Sequence, residues 1–285
     1  MKRQDFRFTD RLRVRWAEID AQQIVFNGHY LAYFDTAVGG FWRALALPYA
    51  DTMKSLGGDL FVRKATLEYL SSARYDDQLD VGVRCERVGT TSMTVVCAVF
   101  RGDELLVHGE IIYVFADPLT QKPKPIPPSL RQIFEDFEAG ASVVEVRCGD
   151  WATLGAQARL IRQAVFVDEQ KIPAELVGDG ADDSCLHAVA FNRFGVALAT
   201  GRLMKYLPGV AKIGRMAVLR PMRGGRIGRA VLGALIRASQ AQGYSEVLLH
   251  AQLSAAGFYA RAGFAQRGEV FDEAGIGHVA MVRAI

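Results

Sequence analysis

The chain has little cysteine, no long apolar run and almost no net charge. Its 285 residues include four cysteines, and none lies in a CxxC pair or near a histidine at zinc-ligand spacing. We therefore expect four reduced thiols, a cytoplasmic location and no metal site. No apolar stretch is long enough to cross a membrane, and the charged residues 1–10 predict no signal peptide.

The net charge of +3 is too small to favour a nucleic-acid partner, although a few lysines and arginines could bind an anionic cofactor. Half of the residues are apolar and 23% are charged, which is typical of a globular protein. A chain of this length is sufficient for two hydrophobic cores. The sequence thus predicts two domains, with no nucleic-acid partner and no membrane insertion.

Prolines are concentrated at residues 117–128 (DPLTQKPKPIPP), where the missing backbone donors end a strand and stiffen the chain. A short helix is predicted next at 129–138, with Ser129 as its N-cap. Small residues follow at 139–142. We place the boundary there, which gives domains of residues 1–140 and 141–285.

The first half has an α+β pattern. Residues 11–16 alternate like a strand, and apolar positions three and four apart from about Gly28 predict a long buried helix that Pro48 ends. Gly102–Asp103 is a hairpin signal. The predicted strands are 59–69, 78–89, 92–101 and 104–115. One helix followed by a meander of strands predicts a sheet wrapped around that helix.

The second half alternates between helices and strands, which indicates an α/β fold. Gly243 is a natural residue to follow the end of a helix. The predicted helices are 155–169, 225–242 and a short one capped by Ser254. The predicted strands are 185–191, 196–205, 212–219, 246–252, 270–271 and 277–282.

Residues 13–34 (RVRWAEIDAQQIVFNGHYLAYF) place an acid, Asp20, shortly before the long helix that begins near Asn27. The first N–H groups of a helix have no internal partners and carry partial positive charge, so they can polarise a carbonyl. Hydrolysis of a thioester needs such an oxyanion site and a base or nucleophile. Asp20 could therefore activate water or attack directly to give a mixed anhydride.

This segment resembles the 4-hydroxybenzoyl-CoA thioesterase family of hotdog proteins, including the Tol-Pal-associated acyl-CoA thioesterases. Asp20 fills the acidic position of the family's motif, residues 24–26 and Tyr30 fill the rest, and residues 69–79 resemble a second signature. The resemblance implies catalysis by Asp20, an oxyanion donor at the backbone of Asn27, and a homodimer or homotetramer. Tol-Pal-associated members usually carry histidine where this chain has Asn27.

Other roles remain open for the polar residues near this segment. Asp20 could be only a turn residue, and His29 is expected at the surface or an interface. Glu18 and Glu68 are expected to be solvated or paired. A hotdog enoyl-CoA hydratase would need an Asp-x-Asn-x-x-His dyad, which residues 20–30 lack.

Residues 215–232 (RMAVLRPMRGGRIGRAVL) place a glycine-rich loop between a strand and a helix. Consecutive N–H groups at such a helix start can bind a pyrophosphate, and glycine lets the backbone approach closely. The segment resembles motif A of the GNAT acyltransferases, which implies coenzyme A or acetyl-CoA as substrate. The residues that this resemblance assigns to coenzyme A binding are Ala217, Val218, Arg223, Gly224, Gly225, Arg226, Ile227, Gly228 and Arg229.

Arg226 stands where the family usually has glycine. It adds a phosphate contact if its φ is negative and weakens the phosphate-binding loop if its φ is positive.

Residues 254–264 (SAAGFYARAGF) resemble a further GNAT segment, and there Tyr259 matches the tyrosine that gives a proton to the departing thiolate. Tyr259 could instead be a core tyrosine. Glu169 could be a general base or a solvated carboxylate, His187 is expected in the core, and the role of His250 is open. Residues 178–183 are expected to form a turn, because they lack the ligand spacing of a calcium loop.

The leading hypothesis is a bifunctional enzyme that hydrolyses acyl-CoA thioesters and transfers an acyl group from coenzyme A to an amine acceptor. The alternative is that one domain is a non-catalytic acyl-CoA-binding or dimerisation module. The unusual residues Asn27 and Arg226 favour this alternative.

Overall fold

The computed structural model describes residues 1–178 and 180–285 and divides them into two compact units, Met1–Val143 and Val144–Ile285. Across these residues, no helix combines the length and apolar character needed to span a lipid bilayer. The predicted turn at 178–183 includes Asp179, which lies outside the described residues. Asp182–Ser184 form one turn of 3₁₀ helix.

The N-terminal unit is an antiparallel sheet packed against one long helix, as predicted. The strands are β1 (Phe8–Arg13), β2 (Asp59–Tyr69), β3 (Gln78–Val88), β4 (Ser92–Arg101) and β5 (Glu104–Ala116), and the helices are α1 (Asn27–Ala44), α2 (Tyr49–Leu56) and α3 (Pro128–Glu138). The strand order is β1-β3-β4-β5-β2. Helix α1 packs against β1, β3 and β4 through a buried stripe that includes Tyr30, Phe34, Ala37 and Phe41, whose spacing of four, three and four produces one apolar face.

The C-terminal unit is a seven-stranded sheet with helices packed on it. Its strands are β6 (Val144–Gly149), β7 (Leu186–Asn192), β8 (Ala197–Leu207), β9 (Val210–Val218), β10 (Glu246–Gln252), β11 (Ala265–Glu273) and β12 (Ile276–Ala284). Its helices are α4 (Trp151–Arg162), α5 (Ala174–Val177), α6 (Ile227–Ala241) and α7 (Ala256–Ala260). The order is β11-β12-β10-β9-β8-β7-β6, and β9 and β10 run parallel to each other.

Several predicted boundaries were wrong. Ser129 is not an N-cap, because α3 begins one residue earlier with Pro127 as N-cap and Pro128 at the first position, where the fixed φ of proline suits a helix. The predicted strand at 11–16 is β1, which ends at Arg13 and is followed by a 3₁₀ turn at Trp16–Glu18.

The helix predicted at 155–169 begins at Trp151, where the Asp150 side chain accepts a hydrogen bond from the Thr153 N–H. It continues beyond α4 as a π-helix over Gln163–Glu169. The helix predicted from residue 225 begins at Ile227. Strand β6 and helix α2 were not predicted.

Candidate active sites

A cavity of about 650 Å³ opens at the start of α1 in the N-terminal unit. Asp20, Asn27 and Tyr30, which the sequence motif singles out, all line it. The other lining residues are Ala21, Gln22, Ile24, Val25, Phe26, Tyr69, Leu70, Ser71 and Ser72. The fold therefore brings the predicted acid and the predicted oxyanion donor to the same cavity.

Asp20 lies in a tight turn that an isolated bridge between Ile19 and Val25 closes. Its backbone N–H donates to the Ile24 carbonyl at 2.9 Å, and its Oδ1 accepts the Gln22 N–H at 2.8 Å. Its Oδ2 has no hydrogen-bond partner within residues 1–178 and 180–285. Asp20 is thus a turn residue whose second carboxylate oxygen remains available to a substrate or a water molecule.

The first N–H groups of α1 are available in the same way. The Phe26 N–H donates to the Glu18 carbonyl at 2.9 Å and the His29 N–H donates to the Phe26 carbonyl at 2.9 Å. In the described part of the chain, the N–H groups of Asn27 and Gly28 have no acceptor, as expected at a helix start. The His29 ring packs edge-on against Phe26, with 6.0 Å between the ring centroids.

Glu18 anchors the segment that carries Asp20. Its buried carboxylate accepts the Arg15 N–H at 2.7 Å, the Arg15 guanidinium at 2.5 Å and the Tyr33 hydroxyl at 2.7 Å. Burial alone would raise the pKa of Glu18, but these hydrogen bonds and the charge of Arg15 bring it below its usual value. Glu18 is therefore a paired structural carboxylate, as expected.

Two tyrosines form part of the cavity wall. The Tyr30 hydroxyl accepts the Ala73 N–H at 2.9 Å, and the Tyr69 hydroxyl donates to the Asn27 carbonyl at 3.2 Å. The two rings pack edge to face, with 5.8 Å between their centroids. Sequence reasoning gave Tyr69 no role, because only the fold places the end of β2 beside the start of α1. The neighbouring Glu68 is paired with His108 at 3.4 Å.

The second candidate site is the loop between β9 and α6. Gly224 has φ +85° and Arg226 has φ +61°. The described residues provide no acceptor for the N–H groups of Ile227, Gly228 and Arg229, and the first bond of the helix runs from Ala230 to the Arg226 carbonyl at 3.2 Å. Three consecutive N–H groups at a helix start are therefore available to an anion.

Arg226 has the left-handed backbone conformation that glycine adopts freely and other residues adopt at a cost of about 1–2 kcal/mol. This is the positive-φ case, in which we expected a weaker phosphate-binding loop. Gly228 lies so close to β9 that an added Cβ would be 3.1 Å from a methyl group of Val218. Ala217 is buried in a core cluster with residues of α4, so its side chain is not available to a ligand.

Arg223 is already paired within the protein. Its guanidinium makes two parallel hydrogen bonds of 2.7 Å to the Glu169 carboxylate, and its Nε donates to the Val218 carbonyl at 3.2 Å. These hydrogen bonds hold the pKa of Glu169 below its usual value. Glu169 is thus an exposed carboxylate at the end of the π-helix, as expected, but it is paired with Arg223 and links the π-helix to the glycine-rich loop.

Tyr259 lies in α7, which packs against β10 and β12. It is buried between Phe258 and Phe264, and burial raises its pKa to about 12, so the phenol keeps its proton at neutral pH. His187 is a core histidine, as predicted. Its Nε2 contacts the Asp182 carbonyl at 2.9 Å and its Nδ1 contacts Arg162 at 3.3 Å.

Comparison with known proteins gives a different result for each unit. A family model for the thioesterase superfamily matches residues 22–108, and a family model for an acetyltransferase (GNAT) domain matches residues 182–285. The first match lies in the N-terminal unit and begins just after Asp20, while the second lies in the C-terminal unit and includes the glycine-rich loop and Tyr259.

Individual proteins agree with both matches. A Bacillus subtilis (strain 168) protein named "Putative acetyltransferase" is 35% identical over 126 residues, which cover 43% of this chain and 84% of that protein. An Aquifex aeolicus (strain VF5) protein named "Putative esterase" is 34% identical over 96 residues, 34% of this chain and 74% of that protein. The Escherichia coli O157:H7 acyl-CoA thioester hydrolase YbgC is 28% identical over 120 residues, 42% of this chain and 89% of that protein. The chain therefore belongs to the thioesterase superfamily through its N-terminal unit and to the GNAT acetyltransferases through its C-terminal unit.

Proposed function

We propose that the chain is a bifunctional acyl-CoA enzyme with a hydrolase domain at residues 1–140 and an N-acyltransferase domain at residues 141–285. The observation that supports the hydrolase activity is that Asp20 and the start of α1 line the same cavity. A thioester carbonyl that accepts the N–H groups of Asn27 and Gly28 would lie beside the Asp20 carboxylate. These two donors would then stabilise the oxyanion of the transition state more than they stabilise the neutral thioester.

Two chemical routes fit this arrangement. Asp20 either takes a proton from an attacking water molecule or attacks the carbonyl carbon and forms a mixed anhydride that water then hydrolyses. In both routes the C–S bond breaks, coenzyme A leaves as the thiol and the acyl group leaves as the acid. The experiment is release of coenzyme A thiol from acyl-CoA by the parent and by Asp20→Asn. We expect a loss of roughly a hundredfold or more, and near-parental activity of the variant would refute the assignment.

We further propose that the N-terminal domain self-associates as a homodimer or homotetramer. Among the described residues, strand β2 is an edge strand that pairs with β5 alone, and Val62 and Tyr69 on it are 59% and 52% exposed. An uncovered edge with apolar side chains favours pairing with another chain. A strictly monomeric mass by light scattering at micromolar protein concentration would contradict this.

The second activity is transfer of an acetyl or other acyl group from coenzyme A to an amine. The observation that carries it is the run of available N–H groups from Ile227 to Arg229, which suits a pyrophosphate. Tyr259 would donate a hydrogen bond to the departing thiolate. The test is acetylation of an amine by Tyr259→Phe beside the parent, and we expect the variant to lose transfer without losing acetyl-CoA binding.

The partners proposed for the chain are thus acyl-CoA and an amine, in the cytoplasm. A second candidate function is that the C-terminal domain only binds acyl-CoA, which the positive φ of Arg226 favours. In that case the parent would bind acetyl-CoA and acetylate no amine.

A further inference from the structure

The parallel strands β9 and β10 separate part of the way along their length. Their pairing runs from Glu246 opposite Val210 to Leu249 opposite Ile213, whereas β9 continues to Val218 and β10 continues to Gln252. Just beyond the last pair, β9 has a bulge at Arg215, where φ is +53°. The sheet therefore has an opening, and His250 is the first residue of β10 beside it.

The two faces of the sheet at this opening hold different groups. Gly228 of α6 lies close to Val218 of β9 and to Phe258 of α7, so the glycine-rich loop and Tyr259 belong to one face. On the other face, Gln252 of β10 donates to Gln170, next to the end of the π-helix, at 3.1 Å. Since residues two apart on a strand share a face, His250 lies on the same side as Gln252. His250 and Tyr259 thus approach the opening from opposite faces.

His250 is held by a carboxylate. Its Nδ1 is 3.1 Å from Oε2 of Glu273 on β11, and its ring packs edge-on against Phe271 at 4.9 Å. A carboxylate only accepts hydrogen bonds, so the tautomer that satisfies this contact carries its proton on Nδ1 and has its lone pair on Nε2. The described residues give Nε2 no hydrogen-bond partner, and the side chain is 28% exposed, so no group of the protein occupies Nε2.

The other titratable groups facing His250 come from two neighbouring strands. Lys212 of β9 places its Nζ 3.4 Å from the same Nδ1. Because an ammonium only donates hydrogen bonds, this contact and that of Glu273 cannot both be hydrogen bonds to Nδ1, and the tautomer protonated on Nδ1 satisfies the shorter of the two. His278 of β12 stacks on the far side of Phe271 at 6.1 Å. His278 is buried and its Nδ1 lies 2.8 Å from the Ile276 carbonyl. Of these groups, only His250 has a carboxylate against one ring nitrogen and no hydrogen-bond partner among the described residues at the other.

We infer that His250, positioned by Glu273, is the general base that deprotonates the amine acceptor at the opening between β9 and β10. This inference rests on the proposed transferase function and adds a catalytic residue to it. The acyl thioester reaches the opening from the face that carries the glycine-rich loop, and the amine arrives from the face that carries His250. The amine and the departing sulfur are then on opposite sides of the acyl carbon.

The protons and bonds balance without another reactant. Nε2 of His250 takes one proton from the ammonium form of the acceptor, and the free amine attacks the thioester carbonyl carbon. The C–N bond forms and the C–S bond breaks. The second proton lost by the nitrogen ends on the sulfur of coenzyme A, and His250 releases its proton to water before the next turnover.

The test compares His250→Gln, Glu273→Gln and His278→Gln with the parent. Acetyl-CoA is offered with primary amines that include ethanolamine, spermidine and a peptide with a free N-terminus, and acetyl-CoA binding is measured separately. His250→Gln is expected to lower kcat/KM for the amine by roughly a hundredfold near neutral pH, with unchanged acetyl-CoA affinity. The defect should shrink as pH rises, because a larger share of the amine is then already deprotonated. Glu273→Gln should lower kcat/KM for the amine less than His250→Gln does, and His278→Gln should retain the parental pH profile.

A His250→Gln enzyme with the parental rate and pH profile would overturn the assignment of the base while leaving the transferase function in place. Equal losses in His250→Gln and His278→Gln would also overturn it, because they would indicate a shared structural effect. A parent that acetylates none of the amines would overturn the transferase function itself, and the general base with it.

Discussion

Replacing Gly228 by aspartate should weaken coenzyme A binding without weakening the fold, because the new carboxylate affects the two in opposite directions. Gly228 is the second residue of α6, and its N–H is one of three that the proposal assigns to the pyrophosphate. An acidic residue in the first turn of a helix stabilises the helix by about 0.3–1 kcal/mol, and replacing glycine adds up to about 1 kcal/mol. Close contact of the new Cβ with Val218 at 3.1 Å offsets part of this gain.

The effect on the ligand is larger and unfavourable. A carboxylate at about 5 Å from one phosphate charge, at an effective dielectric constant of about 20, is repelled by roughly 3 kcal/mol before screening by salt. Since about 1.4 kcal/mol corresponds to a tenfold change in affinity, we expect coenzyme A to bind up to about a hundredfold more weakly to Gly228→Asp. The melting temperature of the unliganded variant should stay within a few degrees of the parent's.

The assay is calorimetric titration with acetyl-CoA together with thermal unfolding, with and without the ligand. The parent should gain about 2.7 kcal/mol of stability at a ligand concentration a hundred times the dissociation constant, and Gly228→Asp should gain almost nothing. Gly228→Ala is the matched control, since it adds the same Cβ without the charge and should retain most of the affinity. Parental affinity in Gly228→Asp would refute the placement of coenzyme A at this loop.

Two further predictions concern stability. Arg226→Gly should be more stable than Arg226→Ala by about 1 kcal/mol in chemical denaturation, because both lose the guanidinium but only glycine removes the cost of φ +61°; equal stabilities would contradict the strained conformation. The pKa of Glu18 is lower in the folded protein than its usual value of 4.5. The ionised carboxylate therefore contributes fully to the free energy of unfolding above pH 4.5, and this contribution is lost as pH falls through the pKa of the folded protein. Glu18→Gln should therefore lower the free energy of unfolding by about 1–3 kcal/mol at neutral pH. On acidification the variant should lose less of this free energy than the parent does. Parallel plots of stability against pH for the two proteins would contradict this.

The sequence predicts the helices and strands of this fold wherever a single local signal determines them. The hairpin between β4 and β5 turns at Gly102, where φ is +60° and glycine is favoured, and this was predicted. The apolar stripe from Tyr30 to Phe41 fixes α1 because only a helix places these residues on one face. Boundaries were less predictable: Ser129 is a good N-cap by composition, but the two prolines before it already have suitable backbone angles and start α3 earlier.

The sequence predicted the local motifs of the candidate sites, but it did not predict the contacts that these motifs make with distant parts of the chain. Residues 13–34 and 215–232 hold the acid, the helix starts and the glycine-rich loop in continuous segments, so pattern and resemblance could find them. The pairing of Glu169 with Arg223 joins residues 54 positions apart, and that of His250 with Glu273 joins residues 23 apart. Such contacts depend on how the strands and helices pack, and no local pattern in the sequence specifies them.

The central claim, two independent acyl-CoA sites on one chain, is tested most directly by measuring both reactions on the same two variants. Thiol release from acyl-CoA and acetylation of an amine are followed for the parent, Asp20→Asn and Tyr259→Phe. We predict that Asp20→Asn loses hydrolysis and keeps transfer, while Tyr259→Phe loses transfer and keeps both hydrolysis and melting temperature, since only a hydroxyl is removed. Equal loss of both activities in either variant, or loss of neither, would contradict the account.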